Sequence, residues 1–153
     1  VGIFPFFKKQ KFFSDADQAK IVSSISIAEK ETSGEIRVYV ESKNPFVDPI
    51  ERAAEIFFQL KMEQTEHRNA VLLYIAMKDH ELALFGDEGI HQKVGTAYWQ
   101  NAVKQMITHF SNQDISTGIQ QCVLQIGQTL KDTFPYDSVT DKNELPDDIV
   151  FGK

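Results

Sequence analysis

Disulfides, membrane spans and a basic footprint are all missing from this chain of 153 residues. A single cysteine, Cys122, cannot close an internal bridge, so the core alone must hold the fold. No run approaches the ~18 apolar residues of a transmembrane helix, so direct membrane insertion is not expected. The formal net charge is -6, and the one basic cluster is "KKQK" at Lys8 to Lys11. That balance argues against nucleic acid, whose phosphates demand a broad surface of Lys and Arg. Phosphate-binding P-loops, dinucleotide fingerprints and G-x-S-x-G elbows are absent as well. "DKNELPDD" from Asp141 begins like a calcium loop, but Pro146 stands where such a loop needs glycine. The opening "VGIFPFFKKQKFF" lacks the charged-then-apolar order of a secretion signal, and a cytoplasmic chain is expected.

What is present suits one globular domain: hydrophobic residues make up 42% and charged residues 25%, and this length can bury a core without staples. Three parts are expected, an apolar arm over 1–13, an α/β domain over 14–135 and an acidic irregular tail over 136–153. In the middle part Ser14 and Asp17 mark a helix start, with Ile21, Val22, Ile25 and Ala28 on one face. "EIRVYVE" from Glu35 alternates, which predicts a strand with Ile36, Val38 and Val40 on its one buried face. Asp48, Pro49 and Glu51 open a second helix. "AVLLYIAM" from Ala70 is apolar throughout, as a strand covered on both faces must be. "KDHE" turns the chain into a third strand, "LALFG", and two helices follow, carrying Trp99 to Phe110 and Ile115 to Leu130. The order is α-β-α-β-β-α-α, a small mixed β-sheet sandwiched by helices, with strands 1 and 2 joined in parallel by a crossover.

That topology sorts polar residues into two ends. A seven-residue strand spans roughly 23 Å, so residues from opposite ends cannot share a site. At one end lie Asp79 and His80, for which a hairpin turn is sufficient explanation. The other end gathers the entry of strand 1 (Ser33, Gly34, Glu35), the entry of strand 2 (His67, Arg68, Asn69) and the exit of strand 3, "GDEGIH" from Gly86 to His91. Glu35, Asp87 and Glu88 offer carboxylate oxygens there and His91 an imidazole nitrogen. Together they are the expected ligands of a divalent metal ion, with a solvated turn of ordinary surface acids as the other reading. Carboxylates suit calcium or magnesium, and an added histidine admits zinc or nickel. Gly86 and Gly89 are expected to let the backbone bend around the ion. Cys122 on an apolar face reads as a buried structural thiol, and His109 as a favourable charge at a helix end.

"TSGEIRVYV", "RNAVLLYIAMKDHELALFGDEGI" and "MITHFSNQDISTGIQQCV", in this order, resemble the TPM domain family over roughly residues 14 to 135. The family is known from photosystem repair proteins, many bacterial proteins and a nematode receptor modulator. The resemblance implies an α/β sandwich, divalent-cation binding, acid phosphatase activity in some members, and upkeep of membrane protein complexes. This chain departs from the family pattern at Ala70, where glycine is usual, at His80, where arginine is usual, and at His91, where the glycine loop usually ends in glutamate. Gly95 stands near a later family acid, so two acids are replaced while Asp87 and Glu88 add two. The expectation is therefore an accessory or binding module that holds a metal ion at Glu35, Asp87, Glu88 and His91. The alternative is a metal-assisted phosphatase with Arg68 as phosphate clamp. A third reading is an interaction module that uses the Phe-rich arm or the acidic tail on a membrane protein partner.

Overall fold

The computed structural model describes residues 12–46, 48–112, 114–136 and 145–152. Ser14 is extended and its hydroxyl accepts from the Asp17 amide at 3.1 Å, which starts α1 (Asp15–Glu29) where the sequence predicts. β1 (Glu35–Glu41) follows. Asp48 caps α2 (Pro49–Gln59) by accepting from the Ile50 amide at 2.9 Å, with Pro49 in the first turn, where a missing amide is no loss. β2 (Ala70–Ala76) and β3 (Glu81–Gly86) form the expected hairpin. A short helix not foreseen in the sequence comes next, α3 (Glu88–Val94), with Asp87 as its N-cap. Seven residues are too few for an apolar period to declare itself. α4 (Thr96–Ser111) and α5 (Ile115–Thr133) are the two expected helices. A last strand, β4 (Ile149–Phe151), lies in the stretch expected to be irregular. Three residues become a strand there because β1 offers them an open edge.

The sheet order is β3-β2-β1-β4, with β1 parallel to both β2 and β4 and β2 antiparallel to β3. One face carries Ile36, Val38, Val40, Val71, Leu73 and Ile75, packed against α1, α4 and α5. On the other face Ala70, Leu72 and Tyr74 meet Ala53, Ile56 and Phe57 of α2. All seven residues of β2 are buried, and each such Leu or Ile contributes about 1.5–3 kcal/mol. α1 and α5 cross closely: a Cβ on Gly127 would stand 2.5 Å from that of Ala28.

β1 corrects one expectation, since α2 covers the face on which Glu35, Arg37, Tyr39 and Glu41 lie, and three of those four are buried. Such polar groups must be satisfied by partners instead of water. The Glu41 carboxylate accepts from Arg52 Nε at 2.8 Å, from Arg52 Nη2 at 2.9 Å and from the Tyr74 hydroxyl. This network bolts α2 to the sheet. Arg37 Nη2 reaches Asp148 at 3.2 Å and ties the approach to β4 back to β1.

Of the expected arm, Phe13 is buried and Phe12 stacks on Phe151 of β4; residues 1–11 lie outside the described residues, as do 137–144 of the expected tail. No helix among the described residues is long and apolar enough to cross a membrane.

Candidate metal centre

The register puts Glu35 opposite Ala70 and Val71 opposite Gly86, so the entries of β1 and β2 and the exit of β3 do share one end of the sheet. Yet β2 separates β1 from β3, and two strand spacings amount to about 9–10 Å. The four residues named from the sequence consequently divide between two places at that end.

Asp87, Glu88 and His91 stand on the β3 side. The Asp87 carboxylate is buried and takes both arms of Arg68, from Nε at 2.7 Å and from Nη2 at 2.8 Å. Its Oδ1 also accepts from the Glu88 amide at 2.8 Å, which caps α3. Glu88 accepts from Arg68 Nη1 at 3.2 Å. A guanidinium thus meets both acids, and Arg68, the expected phosphate clamp, is engaged by carboxylates. His91 accepts at Nδ1 from Trp99 Nε1 at 3.1 Å, which leaves Nε2 as its outward nitrogen. Gly89 has a different purpose from the one expected. Its backbone is not in the left-handed region, but an added Cβ would lie 2.2 Å from the His67 carbonyl oxygen and 2.6 Å from that of Arg68. The Gly89 amide donates to that Arg68 oxygen at 2.8 Å, so the glycine lets the start of α3 dock flat on "HRN".

Glu35 stands on the β4 side, and there it meets two acids that the sequence reading did not join to it. Ligand atoms of Glu29, Glu35 and Asp147 all lie within 4.8 Å of one another, the one such group of three among the described residues. Local geometry explains the meeting. β4 begins at Ile149 opposite Val38, so the start of β1 has no strand beside it on that side. Glu29, at the end of α1, fills the gap, and its Oε2 accepts from the Ile36 amide at 2.6 Å. Asp147, two residues ahead of β4, comes in from the same side. Burial, a shared hydrogen bond with Asp147 and the charge of Glu35 push the Glu29 carboxyl up to about 11. A proton does there what a cation could do. Three hard oxygen donors at this separation fit calcium or magnesium, whose oxygens lie about 2.0–2.6 Å from the ion. A nitrogen or thiolate donor, the mark of zinc or nickel sites, does not belong to the group.

The sequence held a faint signal for one of these two residues. Asp147 falls inside the "DKNELPDD" stretch, rejected as a continuous calcium loop, whereas no motif singles out Glu29. Only the pairing of β4 with β1 unites them. The other candidates behave as expected: Cys122 is buried, with its thiol pushed up to about 12 by desolvation, and His109 sits in the last turn of α4. Asp79 accepts from the Asn44 amide at 2.7 Å beside the hairpin turn.

A mixed sheet covered by helices on both faces, with three acids gathered at the entry of its first strand, defines a small α/β sandwich domain. The chain belongs to the TPM domain family, whose model matches residues 7–129. It is similar to the BA42 protein of the psychrophilic bacterium Bizionia argentinensis, solved by NMR. The two are 33% identical with a TM-score of 0.85, over 95% of this chain and 99% of that one. The N-terminal domain of a Corynebacterium glutamicum protein shares the fold at 14% identity and a TM-score of 0.63, over 90% of each chain. The N-terminal domain of a P. gingivalis protein does so at 14% identity and 0.67, over 80% of this chain and 78% of that one. Among curated proteins there is no match to the chain.

Proposed function

We propose that this TPM domain is a divalent-cation-binding module, with Glu29, Glu35 and Asp147 as its protein ligands and calcium or magnesium as its ion. One observation carries the reading: three carboxylate oxygens from separate parts of the chain converge within 4.8 Å, and Glu29 keeps a proton there far above the usual carboxylate range. Bringing like charges together is unfavourable unless a proton or a cation joins them. An ion at this place would tie the end of α1 and the start of β1 to the chain's last strand. The working role is that of a cytoplasmic accessory module serving a membrane protein complex, in keeping with the family.

Thermal unfolding with and without calcium or magnesium tests this. A free ion at a hundred times its Kd adds about 2.7 kcal/mol, which is a rise of roughly 5–10 °C in Tm for a domain of this size. Glu35→Gln and Asp147→Asn should fold and lose most of that rise. An equal rise in both variants, or none in the wild type, sinks the assignment. The phosphatase alternative is separated by the same samples: metal-dependent turnover of an aryl phosphate, lost in Glu35→Gln, would turn the module into an enzyme.

A further inference from the structure

The open edge of β3 has no part in the metal reading, and its backbone is directed in a specific way. The Asp87 amide donates to the Ala70 carbonyl at 2.9 Å, which sets the phase of the β2–β3 ladder. Glu81, Ala83 and Phe85 therefore exchange hydrogen bonds with β2, whereas Leu82, Leu84 and Gly86 turn their N–H and C=O groups outward. Among the described residues no hydrogen bond reaches those outward groups, and no strand lies beyond β3. The edge forms the floor of a groove of about 880 Å³, walled by α2 on one side and α4 on the other. Ile50 and Phe58 stand on the α2 wall at 56% and 51% exposure, and Trp99 and Val103 line the α4 wall.

We propose that this groove binds an extended peptide segment of a partner protein, which adds to β3 as a fifth strand. Outward groups recurring every second residue, about 6.8 Å apart, match the repeat of a strand and not the scattered polar atoms of a small-molecule site. Side chains of the added strand would point alternately to the two apolar walls, so the core of the segment is a short run of β-branched residues. Charge specifies one flank. Asp48 and Lys104 offset one another in the lining, whereas near Gly86 the two carboxylates of Asp87 and Glu88 outnumber the one guanidinium of Arg68. With a chain of net charge -6 and an excess of acid at that end, the complementary segment carries lysine or arginine on the flank that meets Gly86. A second copy fits poorly, because antiparallel pairing of two β3 strands brings Glu81 of each towards the Asp87 and Glu88 of the other.

The probe is the peptide acetyl-Lys-Lys-Val-Ile-Val-Thr-Val-Lys-Lys-amide, titrated into the full chain and followed by NMR amide shifts and hydrogen exchange. Saturable shifts are expected at Leu82, Leu84 and Gly86, with exchange of those amides slowed at least tenfold. Replacing the lysines of the peptide by glutamates should weaken binding tenfold or more, and methylating its alternate amides should abolish it. Ile50→Lys changes an exposed side chain only, so it should leave Tm unchanged and weaken the lysine-flanked peptide by a similar factor. Absence of saturable shifts at millimolar peptide overturns the proposal. Undiminished binding of the methylated peptide does so too, as does self-association of the chain through the same three amides.

Discussion

Two acidic places lie at the same end of this sheet, and they solve the problem of negative charge in opposite ways. On the β3 side, Asp87 and Glu88 are both held by Arg68, and Asp87 also caps a helix. On the β4 side, Glu29, Glu35 and Asp147 face one another, and a proton on Glu29 relieves their repulsion. The first arrangement holds its own guanidinium and is a fastener. The second gathers three carboxylates whose oxygens lie within 4.8 Å of one another, and there a cation could take the place of the proton. Counting carboxylates does not distinguish the two; what each carboxylate already accepts does.

The largest effect should come from Gly89→Ala. A methyl group there meets two backbone carbonyl oxygens that cannot swing aside, and a loss of roughly 2–3 kcal/mol is expected from such overpacking. Urea unfolding measures it. A loss below half a kcal/mol, within the range of ordinary surface changes, would mean the loop is not docked on His67 and Arg68. Asp87→Ala comes next. Removing the α3 cap should cost about 1–2 kcal/mol while leaving calcium affinity unchanged, since this acid belongs to the fastener. Isothermal titration would contradict that division if affinity fell tenfold.

Glu29→Gln sharpens the contrast from the other side. The amide keeps an acceptor for the Ile36 amide and is neutral without having to take up a proton on folding, so the metal-free protein should gain about 1 kcal/mol at pH 7, or roughly 2–4 °C. The sign of the pH dependence follows from the same group. Its carboxyl titrates near 4.5 when unperturbed but is raised in the folded chain, which therefore holds a proton that the unfolded chain has released. Stability of the metal-free protein should accordingly fall as pH rises above about 4.5. Calcium affinity should climb over the same range as the proton is displaced. Glu29→Gln should flatten both slopes, and unfolding curves from pH 5 to 9 check this.

Much of the fold could be read from the chain because its signals are local. Ser14 and Asp48 announce helix starts through a single hydrogen bond each, and the unbroken apolar run of β2 announces a strand buried on both faces. β1 was half legible: its alternation is real, but Glu41 could not reveal that Arg52 and Tyr74 would meet it under α2. α3 was hidden by its brevity, and β4 by the fact that three residues become a strand only beside a ready partner. The candidate site suffered most from that last point. Glu35 was visible as the entry of a strand, while Glu29 and Asp147 join it through the pairing of chain segments more than a hundred residues apart. The acids crowded in "GDEGIH" drew attention instead, and no local feature disclosed that Arg68, nineteen residues earlier than Asp87, would occupy them.

Amide shifts of the uniformly labelled chain during a calcium titration compare the two acidic places in one experiment. The account predicts saturable changes at Glu29, Glu35, Ile36 and Asp147, with Glu88, Gly89 and His91 left in place. Changes confined to Glu88, Gly89 and His91, or none at either place at millimolar calcium, would contradict it.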